Sequence, residues 1–104
     1  MKKKLTKEVI LDTLHKHRKE LKDLGVMKLT LFGSYARDEQ KETSDIDFLV
    51  EYEKGRGNYR DSLGLLHLLR DKIFNKEIDI VKPSLIRQEL REEILGGIQH
   101  AAKI

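Results

Sequence analysis

Two short apolar runs separated by a polar segment constrain this chain more than any other feature. The first run ends at Gly33 and Ser34, and the second holds Asp45 and Asp47 within Asp-Ile-Asp-Phe-Leu-Val. Side chains alternate along a strand, so the two aspartates are expected on one face and their apolar neighbours on the other. Two carboxylates on one face destabilise a strand unless something positive meets them. The pattern therefore predicts two strands beside a site for a divalent metal and a phosphate.

Size and composition indicate a small globular protein. The chain has 104 residues, of which 38% are hydrophobic and 38% charged, and it has no cysteine. This length allows one domain over residues 1–104, and disulfides and cysteine-based zinc sites are excluded. The longest apolar runs are only a few residues, too short for a transmembrane helix or a signal peptide. The expectation is a cytoplasmic protein that does not bind a membrane.

Charge is distributed unevenly along the chain. The net charge of +3 is too small to indicate direct nucleic-acid binding. Residues 38–53, however, hold seven acidic residues against one lysine. An acidic cluster of this kind repels itself unless a cation neutralises it. The cluster coincides with the polar segment and the second apolar run.

Hydrophobic periodicity predicts a mixed α/β (α+β) fold, in which helices flank a small mixed sheet. Helices are predicted over residues 6–24, 35–39, 60–74 and 84–95, and strands over 26–32, 45–52 and 77–81. Thr6 is the predicted N-cap of the first helix. The apolar stripe of the last helix continues past Gly96 and Gly97 to Ile104, so this helix either closes the sheet or contacts a second protein as a homo- or hetero-oligomer.

Asp79 repeats the pattern in the third predicted strand, between Ile78 and Ile80. A single aspartate in such a strand is ordinarily explained by a hydrogen bond at a loop edge or by a helix cap. Three aspartates on two neighbouring strands would raise one another's pKa unless a cation is bound. Carboxylate oxygens are the ligands that Mg²⁺ prefers. Asp45, Asp47 and Asp79 are therefore candidate Mg²⁺ ligands.

The glycine–serine pair would supply the phosphate half of such a site. A glycine allows the backbone to approach a phosphate closely, and a serine hydroxyl adds a donor. By itself the pair is weak evidence, because it is more typical of an ordinary turn, and the glycine and lysine spacing of a P-loop is missing.

The combined motif resembles a known family. Gly33-Ser34, ten intervening residues and Asp45-Ile46-Asp47 are similar to the Gly-Ser-x10-Asp-x-Asp signature of the polymerase-beta-like nucleotidyltransferases. Asp79 lies where that family places its third carboxylate. The chain looks most like the minimal nucleotidyltransferases of prokaryotes, the MntA-type antitoxins that are usually encoded beside a HEPN-domain partner. One departure is Asp38, because the family commonly has glycine after the arginine of this loop.

This resemblance implies a polymerase-beta-like fold and Mg²⁺-dependent transfer of AMP from ATP to a tyrosine of a HEPN toxin. The implied catalytic and metal-binding residues are Asp45, Asp47 and Asp79, and the implied nucleotide-binding residues are Gly33, Ser34 and Arg37. A solvated arginine at the end of a helix is an equally good interpretation of Arg37. Two alternatives stay open. The chain could neutralise a toxin by contact without catalysis, or it could modify a small molecule such as an antibiotic.

Overall fold

The N-terminal helices follow from a capped amphipathic sequence that is interrupted once. The structure, a computed structural model, describes residues 4–82 and 100–103. Helix α1 spans Lys7–Lys16 and helix α2 spans Arg18–Asp23. The side chain of Thr6 accepts a hydrogen bond from the Val9 N–H at 3.3 Å, which confirms the predicted N-cap.

The predicted single helix over residues 6–24 is wrong at His17, whose φ of −100° and ψ of 16° break the helix. Leu14 and Leu21 are fully buried on either side of this break. The apolar spacing offers no core side chain at position 17 or 18, so packing does not hold the helix straight there.

In the part of the chain that the structure describes, four strands form one mixed sheet. They are β1 (Val26–Phe32), β2 (Ile46–Tyr52), β3 (Ile78–Val81) and β4 (His100–Lys103), in the spatial order β3-β2-β1-β4. β1 pairs antiparallel with β2 and with β4, and β2 pairs parallel with β3. The predicted strand over residues 26–32 is confirmed, and β2 and β3 each begin one residue later than predicted.

Between β2 and β3 the chain forms a helical segment that begins as an α-helix and continues as a π-helix. Helix α3 spans Tyr59–His67, and its N-cap Asn58 accepts a hydrogen bond from the Asp61 N–H at 2.8 Å. A π-helical segment follows over Leu68–Ile73. The helix predicted over residues 60–74 is confirmed in position, but its second half is π-helical. The short helix predicted over residues 35–39 is wrong, because the chain forms hydrogen-bonded turns there.

One face of the sheet packs against the helices. Leu29 lies opposite Val50, and Leu31 lies opposite Phe48, in the register of β1 and β2. These side chains join one buried cluster with residues from α1, α2, α3 and the π-helical segment. Because strand side chains alternate, residue 47 and its neighbours in register are directed to the opposite face. The alternation predicted from the sequence is what separates the core from the acidic residues.

The C-terminal part corrects one prediction. The helical stripe was expected to include Ala101 and Ala102, but both lie in β4, paired with β1. The last helix, predicted over residues 84–95, lies outside the described residues. Within the described ranges, no helix combines the length and the apolar character needed to cross a bilayer. The mixed four-stranded sheet with flanking helices confirms the predicted fold class.

Candidate functional site

The register of the sheet brings the predicted acidic residues together. Asp47 on β2 lies beside Asp79 on the parallel strand β3, and opposite Phe32 at the end of β1. Residues in register on adjacent strands direct their side chains to the same face. Asp45 lies exposed, immediately before β2. The acidic residues therefore gather at the edge of the sheet where β1 ends and β2 and β3 begin.

The pKa of Asp47 reflects its burial and the proximity of the other acidic residues. Burial, followed by the charges of Asp79 and Asp45, raises the pKa of Asp47 to about 6. The charge of Arg37 acts in the opposite direction. Four of the predicted site residues thus interact across two strands and a loop. Repulsion among the carboxylates is a cost that a bound cation would relieve.

Gly33 lies directly against Asp47. Its φ of +76° is a left-handed conformation that favours glycine. A Cβ at this position would lie 3.0 Å from Asp47 Cγ and 3.3 Å from its Cβ, with Oδ2 nearer still. The position therefore requires glycine for two reasons, the backbone conformation and the close approach of the carboxylate.

After β1 the chain forms consecutive hydrogen-bonded turns over residues 33–39, which we call the 33–39 loop. The Arg37 N–H donates to the Gly33 carbonyl at 3.2 Å, and the Glu39 N–H donates to the Ser34 carbonyl at 2.9 Å. Ser34 lies at the start of this loop and follows Gly33, the residue that lies against Asp47. The Arg37 side chain is exposed and pairs with Glu39 at 3.1 Å, which is the surface role considered for it, although its charge still reaches Asp47.

Asp38, at the position where the family commonly has glycine, adopts a backbone conformation that glycine favours. Its φ of +57° is in the left-handed region. The carboxylate Oδ2 lies 2.9 Å from Lys7 Nζ, on the first residue of α1. At this departure from the family pattern, the aspartate therefore adopts a backbone conformation that glycine favours and is held by an ion pair. Sequence reasoning missed Lys7, because nothing in a basic residue 31 positions away indicates this contact.

The donor set suits a hard divalent cation. Carboxylate oxygens are preferred by Mg²⁺, and burial together with the charges of Asp79 and Asp45 raises the pKa of Asp47. Within residues 4–82 and 100–103, no group of three or more His, Asp or Glu side chains is already arranged as a metal site. The assignment of Asp45, Asp47 and Asp79 as metal ligands remains a prediction.

Comparison with known proteins gives a consistent picture. The family model described as "Nucleotidyltransferase domain" matches residues 14–99. A Methanocaldococcus jannaschii protein named "Putative protein adenylyltransferase" is 42% identical over 77 residues, covering 69% of this chain and 75% of the relative. A Thermococcus cleftensis protein named "Protein adenylyltransferase MntA" is 49% identical over 51 residues, but this match spans only 52% of that protein.

Two solved structures share the fold. One, described as a putative minimal nucleotidyltransferase, has a TM-score of 0.65 and 33% identity, covering 83% of this chain and 90% of that chain. The other, described as a toxin–antitoxin with AMP-PNP, has a TM-score of 0.64 and 24% identity, covering 84% of this chain and 69% of that chain. The second likeness concerns the fold alone.

Proposed function

We propose, since the chain belongs to the family of nucleotidyltransferase domains, that it transfers AMP from ATP to a hydroxyl of a protein partner. The partner that we propose is a HEPN-domain toxin, with a tyrosine as the acceptor, so that the chain acts as an antitoxin in the cytoplasm. The observation that carries the proposal is the register of Asp47 beside Asp79, with Gly33 against the Asp47 carboxylate.

The phosphates of the nucleotide would lie at the 33–39 loop. Gly33 lets the backbone of this loop lie against the Asp47 carboxylate, and the hydroxyl of Ser34 would donate to a phosphate oxygen. Arg37 contributes positive charge on the same side, as its effect on the pKa of Asp47 indicates. Asp45, Asp47 and Asp79 would hold Mg²⁺, which would neutralise charge on the triphosphate.

The acceptor hydroxyl would be activated beside the carboxylates. Asp79 is exposed at the sheet edge, where an acceptor from another protein has access to it. We propose that the Asp79 carboxylate accepts the proton of this hydroxyl. The acceptor oxygen then forms a bond to the α-phosphorus, the bond from this phosphorus to the bridging oxygen breaks, and pyrophosphate leaves.

The choice of a protein acceptor rests on relatives. A relative covered to 75% of its length carries the name of a protein adenylyltransferase, and a structure of the same fold is described as a toxin–antitoxin with an ATP analogue. These findings favour a protein acceptor over an antibiotic.

A labelling experiment tests the proposal. The wild-type protein is incubated with ATP labelled at the α-phosphorus, Mg²⁺ and the protein encoded by the adjacent gene. It is compared with Asp45→Asn/Asp47→Asn and with Asp12→Asn, which changes an exposed acid on α1 that pairs with Lys16. We expect label on the partner with the wild type and with Asp12→Asn, and at least about 100-fold less with the double variant.

The outcomes separate the competing functions. If the wild type leaves the partner unlabelled and the double variant still neutralises the toxin, the chain acts by contact alone. Label that persists with the double variant would contradict the metal-site assignment. Label that appears on a small molecule and not on the partner would favour the antibiotic-modifying alternative.

A further inference from the structure

The 33–39 loop ends in a backbone motif that ordinarily uses glycine. The Glu39 N–H donates to the Ser34 carbonyl at 2.9 Å, and the Asp38 N–H donates to the Tyr35 carbonyl at 3.4 Å. These are the two hydrogen bonds of a Schellman motif, in which the residue at the position of Asp38 is left-handed. Its φ of +57° agrees. A non-glycine residue in this conformation is unfavourable unless its surroundings compensate for it.

The compensating contact comes from the start of α1. Lys7 Nζ lies 2.9 Å from Asp38 Oδ2, and the side chains are 25% and 56% exposed, so the lysine is partly shielded from water and the aspartate is not. The hydrogen bond to Asp38 raises the pKa of Lys7. A second tether lies beside it, where Gln40 Nε2 donates to the Leu5 carbonyl at 3.4 Å. Residues 5–7 therefore hold the C-terminal end of the loop at two points.

We infer that Lys7 and Asp38 are positioning residues for nucleotide binding. They fix the loop that bears Ser34 and Arg37 in its binding conformation before the nucleotide arrives. Lys7 itself need not touch the substrate. This inference rests on the proposed function, because it assumes that the 33–39 loop binds the nucleotide.

A pre-ordered loop affects binding more than chemistry. If the tether is lost, the loop must be ordered at the moment of binding, and this entropy is subtracted from the affinity. An interaction lost equally from the ground state and the transition state raises KM and leaves kcat unchanged. A catalytic role for Lys7 would instead lower kcat.

The pair can be isolated by a double-mutant cycle. Glycine adopts the left-handed conformation without a partner, so Asp38→Gly removes the need for Lys7. The four proteins are the wild type, Lys7→Met, Asp38→Gly and Lys7→Met/Asp38→Gly. Lys16→Met is the matched control, because Lys16 forms an ion pair with Asp12 on the same helix, at 3.3 Å.

Two readouts are needed. The first is hydrogen–deuterium exchange of a peptide spanning residues 33–40, measured without nucleotide and without metal. The second is the KM for ATP and the kcat in the labelling assay. We expect Lys7→Met to raise both the exchange rate and KM about twofold to fivefold, the range set by a partly exposed ion pair, with kcat unchanged.

The background of the substitution decides the outcome. In Asp38→Gly protein, adding Lys7→Met should change neither readout, and Lys16→Met should resemble the wild type. The inference is overturned if Lys7→Met has the same effect in both backgrounds, or no more effect than Lys16→Met. If the wild type fails to label any partner, the proposed function fails, while the exchange measurement still tests the tether.

Discussion

Replacing Gly33 by alanine tests the central geometry of the site. The substitution places a methyl group in a left-handed conformation, which costs about 1–2 kcal/mol of unfolding free energy. It also places this group 3.0 Å from Asp47 Cγ, and nearer to Oδ2. The carboxylate must rotate or shift by about 1 Å to remove the overlap, and overpacking of this kind costs a further 1–3 kcal/mol, roughly.

Gly55 provides a matched control. Its φ of +82° is close to the +76° of Gly33, but a Cβ there meets nothing within 4 Å. Gly55→Ala should therefore cost only the backbone share, about 1–2 kcal/mol. The difference between the two variants isolates the contact with Asp47. Urea unfolding of both proteins at one pH measures it.

Activity should separate the two variants further. A displacement of about 1 Å in a group that positions substrate costs about 100-fold in rate. We expect this loss for Gly33→Ala in the labelling assay and near wild-type activity for Gly55→Ala. In an Asp47→Ala background the overlap with Cγ and Oδ2 disappears. The difference in unfolding free energy between Gly33→Ala and Gly55→Ala should therefore be smaller in that background. Equal stability and equal activity of the two alanine variants would refute this reasoning.

Three further predictions concern pH and the core. Burial and its acidic neighbours raise the pKa of Asp47 from 3.8 to about 6, so the folded state binds its proton more tightly and this group's contribution to stability falls as pH rises from about 4 to 6. Asp47→Asn should remove this fall, and urea unfolding in EDTA across that range measures it. The hydrogen bonds from Arg56 are the main reason why the pKa of Asp61 is lowered to about 2. The contribution of Asp61 to the unfolding free energy should therefore be complete above about pH 4 and lost as pH falls towards 2. The unfolding free energies of wild type and Asp61→Asn should converge in that window. Leu65→Ala, at a fully buried position in α3, should cost about 2–5 kcal/mol, and Leu63→Ala, at a position 41% exposed, should cost less than about 1 kcal/mol in the same assay.

Much of the sheet could be predicted because strand periodicity is local. The mainly apolar run Val26–Phe32, which lies between Gly25 and Gly33, gives the correct bounds of β1. The anomaly of an acid within an apolar run then predicted that β2 and β3 are neighbours, and their register confirms it. The strand β4 could not be predicted, because Ala101 and Ala102 have weak strand propensity and extend only by pairing with β1.

The candidate site divides in the same way. Gly33, Ser34, Asp45 and Asp47 could be predicted as site residues because they lie in one short segment whose spacing matches a family motif, and their roles stay a prediction. The break at His17 and the turns after Ser34 could not be predicted, because helical spacing alone does not reveal where core contacts are missing.

The sequence by itself determined the two central strands, the alternation that separates the acids from the core, and the family to which the chain belongs. Only the tertiary structure decided that Gly33 lies against Asp47, that Asp47 and Asp79 are in register, and that Lys7 holds Asp38. The physical reason is the range of the interactions. Periodicity and caps depend on residues a few positions apart, whereas these contacts join segments that meet only when the sheet has formed.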